Sequence, residues 1–523
     1  MAFSNLLLFP ILSHPILTLT LTPLLLILLT LLYRISPLHP LSHIPSPITP
    51  RLTSLYLTYH AWRGTECRAI HALHRTHGPI LRTGPNSIDI SSGHALHGIY
   101  VANGGFAKPA FYANFDIDGH RSIFSETDPT QRAPRAKAVV ALFSTASLRQ
   151  GSGVIGEVID HFVRRLLAEK AKAKGKGRRV NLLDLTRGLA VDVVSSYLLG
   201  RRYGGLDGPA PTASDEKRHG KYEHGPDEPH MSASGMVDSF VAVGRFWYLP
   251  TWAFTWAERL DATIHPPLAA AHTSMAVVDD FVARCVQDAA AAVEAQTESP
   301  TAPSKDGGGT GTFPARLLQA GISADETRAQ CKDLIFAGTD STGMNMAVIM
   351  WQLARHPACY AAVKRELAAT SSPVDAQSLP YLRGVVREGL RLSMANPSRL
   401  PRVVPRGGWE FDGLHMPAGT VVSCTPYELH LDGSVWAEPE AFRPERWVGA
   451  TVTEEMGRDW IPFGLGTRQC IARNLAMVEL CEATRAVVRS GVLDGARVVE
   501  ERIEILEWFN SKVVGERVEL VWD

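Results

Sequence analysis

The chain has 523 residues, with 53 Lys+Arg balancing 53 Asp+Glu, 45% hydrophobic and 20% charged residues. That composition is ordinary for a folded globular protein and excludes a disordered one. Zero net charge disfavours nucleic acid as a partner, and seven widely spread cysteines exclude a small disulfide scaffold or a zinc cluster.

From Met1 to Tyr33 no Asp, Glu, Lys or Arg occurs, and Leu6 to Leu32 is mostly Leu, Ile, Pro and Thr. About 20 apolar residues span a bilayer as a helix, and the most regular helix is expected at about Ile16 to Tyr33. Pro10, Pro15 and Pro23 would bend or break it. A cleaved signal peptide fits less well, because a positive start and a small-residue cleavage site are missing. Arg34 and Arg51 would keep the rest of the chain on the cytoplasmic side. Residues 1–35 are therefore expected as a single-pass N-terminal membrane anchor. Residues 36–60, with Pro37, Pro40, Pro45, Pro47 and Pro50, are expected as a stiff hinge. Residues 61–523 then form one large domain.

No fixed-period repeat appears. Helical periodicity marks Val154 to Lys174 and Leu268 to Val293. Strand-like pieces with turn residues lie at Ile80 to Ile90, Val403 to Val422 and Val513 to Val521. Gly204 to Gly235 and Glu298 to Gly311 have loop compositions. The fold class expected is mainly α with small β-sheets. The aromatic residues Phe246, Trp247, Tyr248, Trp252, Phe254 and Trp256 cluster after the first loop, where core packing explains most of them.

The longest predicted helix runs from about Ser323 to His356, with Ser323 and Glu326 in a capping-box pattern and Pro357 as its stop. Its middle reads Ala337-Gly338-Thr339-Asp340-Ser341-Thr342, poor helix formers that suggest either a mild kink or a groove for a small ligand. Glu388 and Arg391 follow at i and i+3 on another helix, a spacing most often of a modest ion pair. Downstream lies Phe442-Arg-Pro-Glu-Arg446-Trp447. Last comes Phe463-Gly-Leu-Gly466-Thr-Arg468-Gln-Cys470-Ile-Ala472, opening an apolar helical pattern to about Val488. A glycine loop that brings a cysteine to a helix start favours a thiolate, and Arg468 adds positive charge. Three readings stand: an inert buried Cys, a nucleophile, or a thiolate ligand to haem iron.

Together these motifs resemble the cytochrome P-450 superfamily. Phe463, Gly466, Arg468 and Cys470 match its haem loop F-x-x-G-x-R-x-C-x-G. Glu388 and Arg391 match its E-x-x-R helix, and Phe442 to Trp447 is similar to its P-E-R-F/W segment. Ala337 to Thr342 resembles its oxygen-activating stretch. Two departures stand out: Ala472 replaces the usual glycine, and Ser341 the usual threonine, with Thr342 after it. The general style resembles membrane-anchored fungal biosynthetic members.

The resemblance implies a P-450 fold and haem b, with the Cys470 thiolate as axial iron ligand. It implies Asp340 and Ser341, with Thr342 beside them, as the proton relay to dioxygen, and Ala337 and Gly338 as the space over the haem. Arg468 and Arg402 are implied as propionate contacts, with Arg132 and Arg135 as further ones. Glu388, Arg391 and Arg446 are implied as a structural triad. The activity implied is a monooxygenase on a lipophilic terpenoid, polyketide or alkaloid intermediate. It would take NADPH electrons through a flavoprotein reductase, at the cytoplasmic side of the endoplasmic reticulum in contact with membrane lipid. The alternatives are a haem-thiolate isomerase or dehydratase without a reductase, and a non-catalytic haem-binding membrane protein.

Overall fold

The segments with a helical apolar period fold as helices and pack on one long member, Ala324–Arg355. The computed structural model describes residues 15–207, 241–264, 269–298, 311–370 and 374–523. Most of the two expected loops, Gly204 to Gly235 and Glu298 to Gly311, lies outside the described residues.

The central helix has 32 residues, about 48 Å at 1.5 Å per residue, and it stays continuous across Ala337 to Thr342. Ser323 caps it, accepting the Glu326 N–H at 3.2 Å, an interaction worth about 1 kcal/mol. The Glu326 carboxylate turns to Arg135. The next helix, Pro357–Ala369, starts at once on the proline.

Close beside the central helix lies Leu182–Val194, every residue of which is buried. Glycine makes the approach possible. A Cβ on Gly338 would fall 2.6 Å from Val194 Cγ2, and one on Gly343 would fall 2.8 Å from Arg187 Cα. Glycine in a helix interior costs about 1 kcal/mol relative to Ala, and here helix contact offsets that cost. Gly338 thus makes room for a neighbouring helix as well.

The small sheets sit at the periphery. Ile80–Gly84 and Ser87–Ile90 form a hairpin, and a parallel pairing of Ser87–Ile90 with Val421–Ser423 extends it. Arg402–Val403 closes that edge antiparallel. A three-stranded sheet joins Val180–Asn181, Glu519–Trp522 and Ala496–Val498. The expected strand region Val403 to Val422 resolves into several short strands rather than one, including the hairpin Trp409–Phe411 and Leu414–Met416.

Of two expectations at the N-terminus, the first needs correction and the second is not shown by the structure. Residues 36–60 are not an extended hinge. Leu41 and Ile44 are fully buried against the first sheet, and Ile48–Leu52 and Leu55–Arg63 are helical. The prolines start or border these turns, where a missing N–H costs little. The second concerns the spanning anchor over 1–35. Residues 1–14 lie outside the described part, and among the described residues no helix is long and apolar enough to cross a membrane. Pro15–Ile35 is helical through Pro23, and Leu21, Leu24, Leu25, Leu26, Ile27 and Leu28 are more than half exposed.

Candidate active site

The loop that carries Cys470 is shaped by glycine. Gly464 and Gly466 have φ of 65° and 69°, a region that disfavours side chains. A Cβ on Gly466 would fall 1.8 Å from the Tyr100 carbonyl oxygen, so only glycine fits. The loop closes as Cys470 N–H donates to Phe463 O at 2.9 Å and Gln469 N–H to Gly466 O at 3.1 Å. The helix Arg473–Ser490 follows, capped by Ala472 at φ −89°. That conformation suits any L residue, so the Ala472 departure carries no backbone strain.

Cys470 opens onto an internal cavity of about 370 Å³. Its side chain is exposed to that space, while the surrounding protein pushes its thiol above the ordinary value, against the Ala472 N–H and the Arg473 charge. Arg468 does not supply the expected charge to the sulfur. Its guanidinium turns to Glu126 O at 2.6 Å and Thr127 O at 3.1 Å.

The opposite wall is the central helix, where Ala337, Gly338, Asp340, Ser341 and Thr342 all border the cavity. Ser341 Oγ donates to Ala337 O at 3.2 Å. Asp340 accepts two bonds from the buried Arg187 guanidinium, at 2.7 and 3.1 Å. Arg187 also donates to Glu516 at 2.6 Å, and these two carboxylates hold its proton more firmly than usual against burial. Burial raises the Asp340 carboxyl, whereas Arg187 and Lys512 outweigh burial at Glu516 and lower it. Of the two acids, Asp340 is the readier to take a proton.

Besides Arg187 and Lys512, four cations line the cavity: Arg132, Arg402, Arg468 and Lys108. Among the described residues none of them forms an ion pair with a carboxylate. Arg132 donates to Ile123 O at 3.0 Å, Arg402 to Pro401 O at 2.8 Å and Lys108 to Phe124 O at 2.6 Å. Burial, with the charges of Arg132 and Arg402, pushes Arg468 down to about 10. Burial and the same arginines push Lys108 well below its ordinary value. Lys108 and Arg402 are buried and Arg132 and Arg468 half-buried, so this excess of positive charge is costly. It suits a ligand that brings carboxylates.

The remaining expected residues divide cleanly. Phe463 borders the cavity, whereas Gly466 acts from behind it through Tyr100. Arg135 does not reach the cavity. It pairs with Glu326 and, at 3.7 Å, with Glu126, because its position on Pro129–Val139 faces the start of the central helix. Glu388, Arg391 and Arg446 meet elsewhere. Glu388 takes Arg391 at 2.7 and 3.0 Å, Arg446 at 3.0 Å and Trp447 Nε1 at 2.8 Å. The aromatic cluster splits too: Trp247 and Phe254 are buried, whereas Trp252 and Trp256 are exposed.

Lys108, Arg187 and Asp333 were not expected at the site. Lys108 arrives through a bridge between Ala107 and Val403 that sets it beside Arg402. No local pattern signals such long-range placement.

A thiol on a glycine loop, a facing Ala-Gly-x-Asp-Ser-Thr helix and cavity-lining arginines without carboxylate partners coincide with a match of the cytochrome P450 family model over residues 50–490. The chain belongs to the cytochrome P450 family. It is 37% identical to cytochrome P450 monooxygenase mfmF of Annulohypoxylon moriforme, over 96% of this chain and 99% of that protein. It is 26% identical to cytochrome P450 monooxygenase stcB of Emericella nidulans, over 92% and 89% of the two chains. Similarity to orf2 of Aspergillus niger is 26%, over 88% of each. The protein is thus an oxygen-incorporating oxidoreductase of a haem-thiolate family. The cavity of this P450 fits that cofactor: a thiol on one wall and cations suited to its carboxylates.

Proposed function

We propose that this P450 is a monooxygenase of a fungal-type secondary-metabolite pathway, acting on a lipophilic terpenoid, polyketide or alkaloid intermediate. Electrons would come from NADPH through a flavoprotein reductase. The observation that carries this reading is Cys470 opening onto the same cavity as Asp340 and Ser341.

Haem bound there supplies dioxygen activation, with thiolate electron density favouring O–O cleavage. The protein's part is distributed among its own residues. Cys470 would hold the iron, with Arg132, Arg402, Arg468 and Lys108 holding the carboxylates. Asp340 would take protons from solvent on the Arg187–Glu516 side and deliver them toward the Ser341 hydroxyl, with Thr342 beside it. Ser341 keeps the hydroxyl of the usual threonine without its methyl, so its rotamer is less constrained. Glu388, Arg391 and Arg446 would hold the scaffold without touching the reaction.

Membrane contact at the cytoplasmic face of the endoplasmic reticulum fits the exposed apolar residues. These lie on Pro15–Ile35, on Leu55–Arg63 (Leu55, Tyr59) and on Thr251–Ile264 (Trp252, Trp256, Leu260). Tyr248 Oη donates to Leu57 O at 2.5 Å, which ties the approach to the last of these helices against Leu55–Arg63. Residues 1–35 would then bring the chain to lipid, from which an apolar substrate could enter.

The test is isotopic. With reductase and a panel of terpenoid, polyketide and alkaloid intermediates under labelled dioxygen, the expected product carries one labelled oxygen and forms only with NADPH. A product without label, formed without NADPH, would establish the isomerase or dehydratase reading instead. No turnover with haem bound would favour the non-catalytic one.

A further inference from the structure

Asp333 lies on the central helix one turn before Ala337 and two before Ser341, at i, i+4 and i+8 on a single face. Each step is about 6 Å along the axis, and all three residues border the cavity. Asp333 is therefore a carboxylate on the wall of the reaction chamber, well beyond the Asp340 position. Around it the lining is largely apolar and aromatic, including Tyr112, Phe115, Phe124 and Leu334.

A carboxylate offers about four acceptor sites. Among the described residues no ion pair holds it; the Ser122 hydroxyl and the Lys108 charge lie near enough to lower its carboxyl and Asp116 near enough to raise it. The neighbouring Gln330 is spent on the backbone, accepting from Ile123 N at 3.0 Å and donating to Arg121 O at 2.9 Å. Asp333 thus retains acceptor capacity toward the cavity. Leaving such capacity unused costs free energy.

The chemistry of the partner follows by elimination. A ketone or ether has no hydrogen to donate to a carboxylate. An ammonium group could donate, but two haem carboxylates would offset only part of the charge of Lys108, Arg132, Arg402 and Arg468, and the remainder would repel it. A substrate carboxylate would be repelled by Asp333 itself. A hydroxyl donates to Asp333 without charge and, unlike a neutral N–H, its oxygen also accepts from the neighbouring cations. Burial and the Asp116 charge raise the Asp333 carboxyl to about 6, while Ser122 and Lys108 favour its ionised, accepting form.

We propose that Asp333 accepts a hydrogen bond from a phenolic or alcoholic hydroxyl of a neutral, otherwise apolar substrate, and so selects which end lies toward Ala337. The proposal rests on the monooxygenase reading of the cavity and names the substrate class for that site.

The test uses the full-length haem-loaded enzyme, calorimetry and three probes: 2-naphthol, 2-methoxynaphthalene and (2-naphthylmethyl)trimethylammonium. A hydrogen bond to a charged group predicts 2-naphthol binding about tenfold or more tighter than its methyl ether. The ammonium probe is expected to bind more weakly than 2-naphthol. In Asp333→Leu the naphthol-to-ether ratio is expected to fall to within about twofold, while ether affinity is retained. Equal affinities in the wild type, absence of naphthol binding, or tighter binding of the ammonium probe would overturn the proposal, as would an unchanged ratio in Asp333→Leu. The carbon monoxide spectrum of the same samples separates the two claims. A normal thiolate spectrum with no hydroxyl preference removes only this inference, whereas loss of that spectrum in the wild type removes the haem-thiolate reading beneath it.

Discussion

Gly466 and Ala472 flank Cys470 and make opposite demands on their positions. Gly466→Ala would place a methyl against the Tyr100 carbonyl at positive φ. The expected loss is about 3 kcal/mol or more, because rigid backbone must move, and it would be read as a lower urea midpoint and reduced haem content. Ala472→Gly restores the family residue at φ −89°. It should change stability by less than about 1 kcal/mol and leave haem content intact, and a large gain in haem content would contradict the backbone argument. Asp340→Asn keeps the shape but removes the charge facing Arg187. General acid–base chemistry predicts product formation about 100-fold slower, with more peroxide released per NADPH oxidised. Unchanged coupling in both Asp340→Asn and Ser341→Ala would move the proton path elsewhere.

At the scale of elements, the helix Glu66–His77 is joined to the strand Ser87–Ile90 by a buried pair, His74 and Asp89, at 2.9 Å. Asp89 also takes Ser423 at 2.7 Å and Thr425 at 3.0 Å. Burial works to lower His74, but the Asp89 bond and charge and the Gly78 carbonyl outweigh it and raise it above 6.5. A group whose folded pKa is raised stabilises fully below its unfolded value and loses that contribution as pH rises through the folded one. Urea midpoints of wild type and His74→Gln should therefore differ most at about pH 6 and converge toward about pH 9. A pH-independent difference would contradict this. Elements also show what could be read in advance. The Ser323 cap, the Pro357 stop and the glycine loop before Cys470 are local chemistry, and all were legible. The hinge over 36–60 was misread because composition reports stiffness but not the burial of Leu41 and Ile44. Arg135 was misplaced because an arginine in the region of the family's propionate contacts says nothing of Glu326 waiting beside it.

For the whole molecule, motif order along the chain foretold one helical domain, while the cavity itself was not legible. Lys108, Arg187 and Asp333 reach it from three distant segments, and only tertiary folding unites them. Exposed apolar side chains on three separated helices predict that removal of residues 1–33 weakens membrane binding without abolishing it. Adding Trp252→Ser and Trp256→Ser should then release the protein into the soluble fraction. Full release by truncation alone would show that the other helices contribute nothing. The central claim is that Cys470 binds haem iron as a thiolate within this cavity. The direct measurement is the reduced carbon monoxide spectrum of the intact protein and of Cys470→Ala. The wild type should show the strongly red-shifted Soret band of a thiolate ligand, absent in Cys470→Ala; an unshifted band in the folded wild type, or a shifted band surviving in Cys470→Ala, would contradict it.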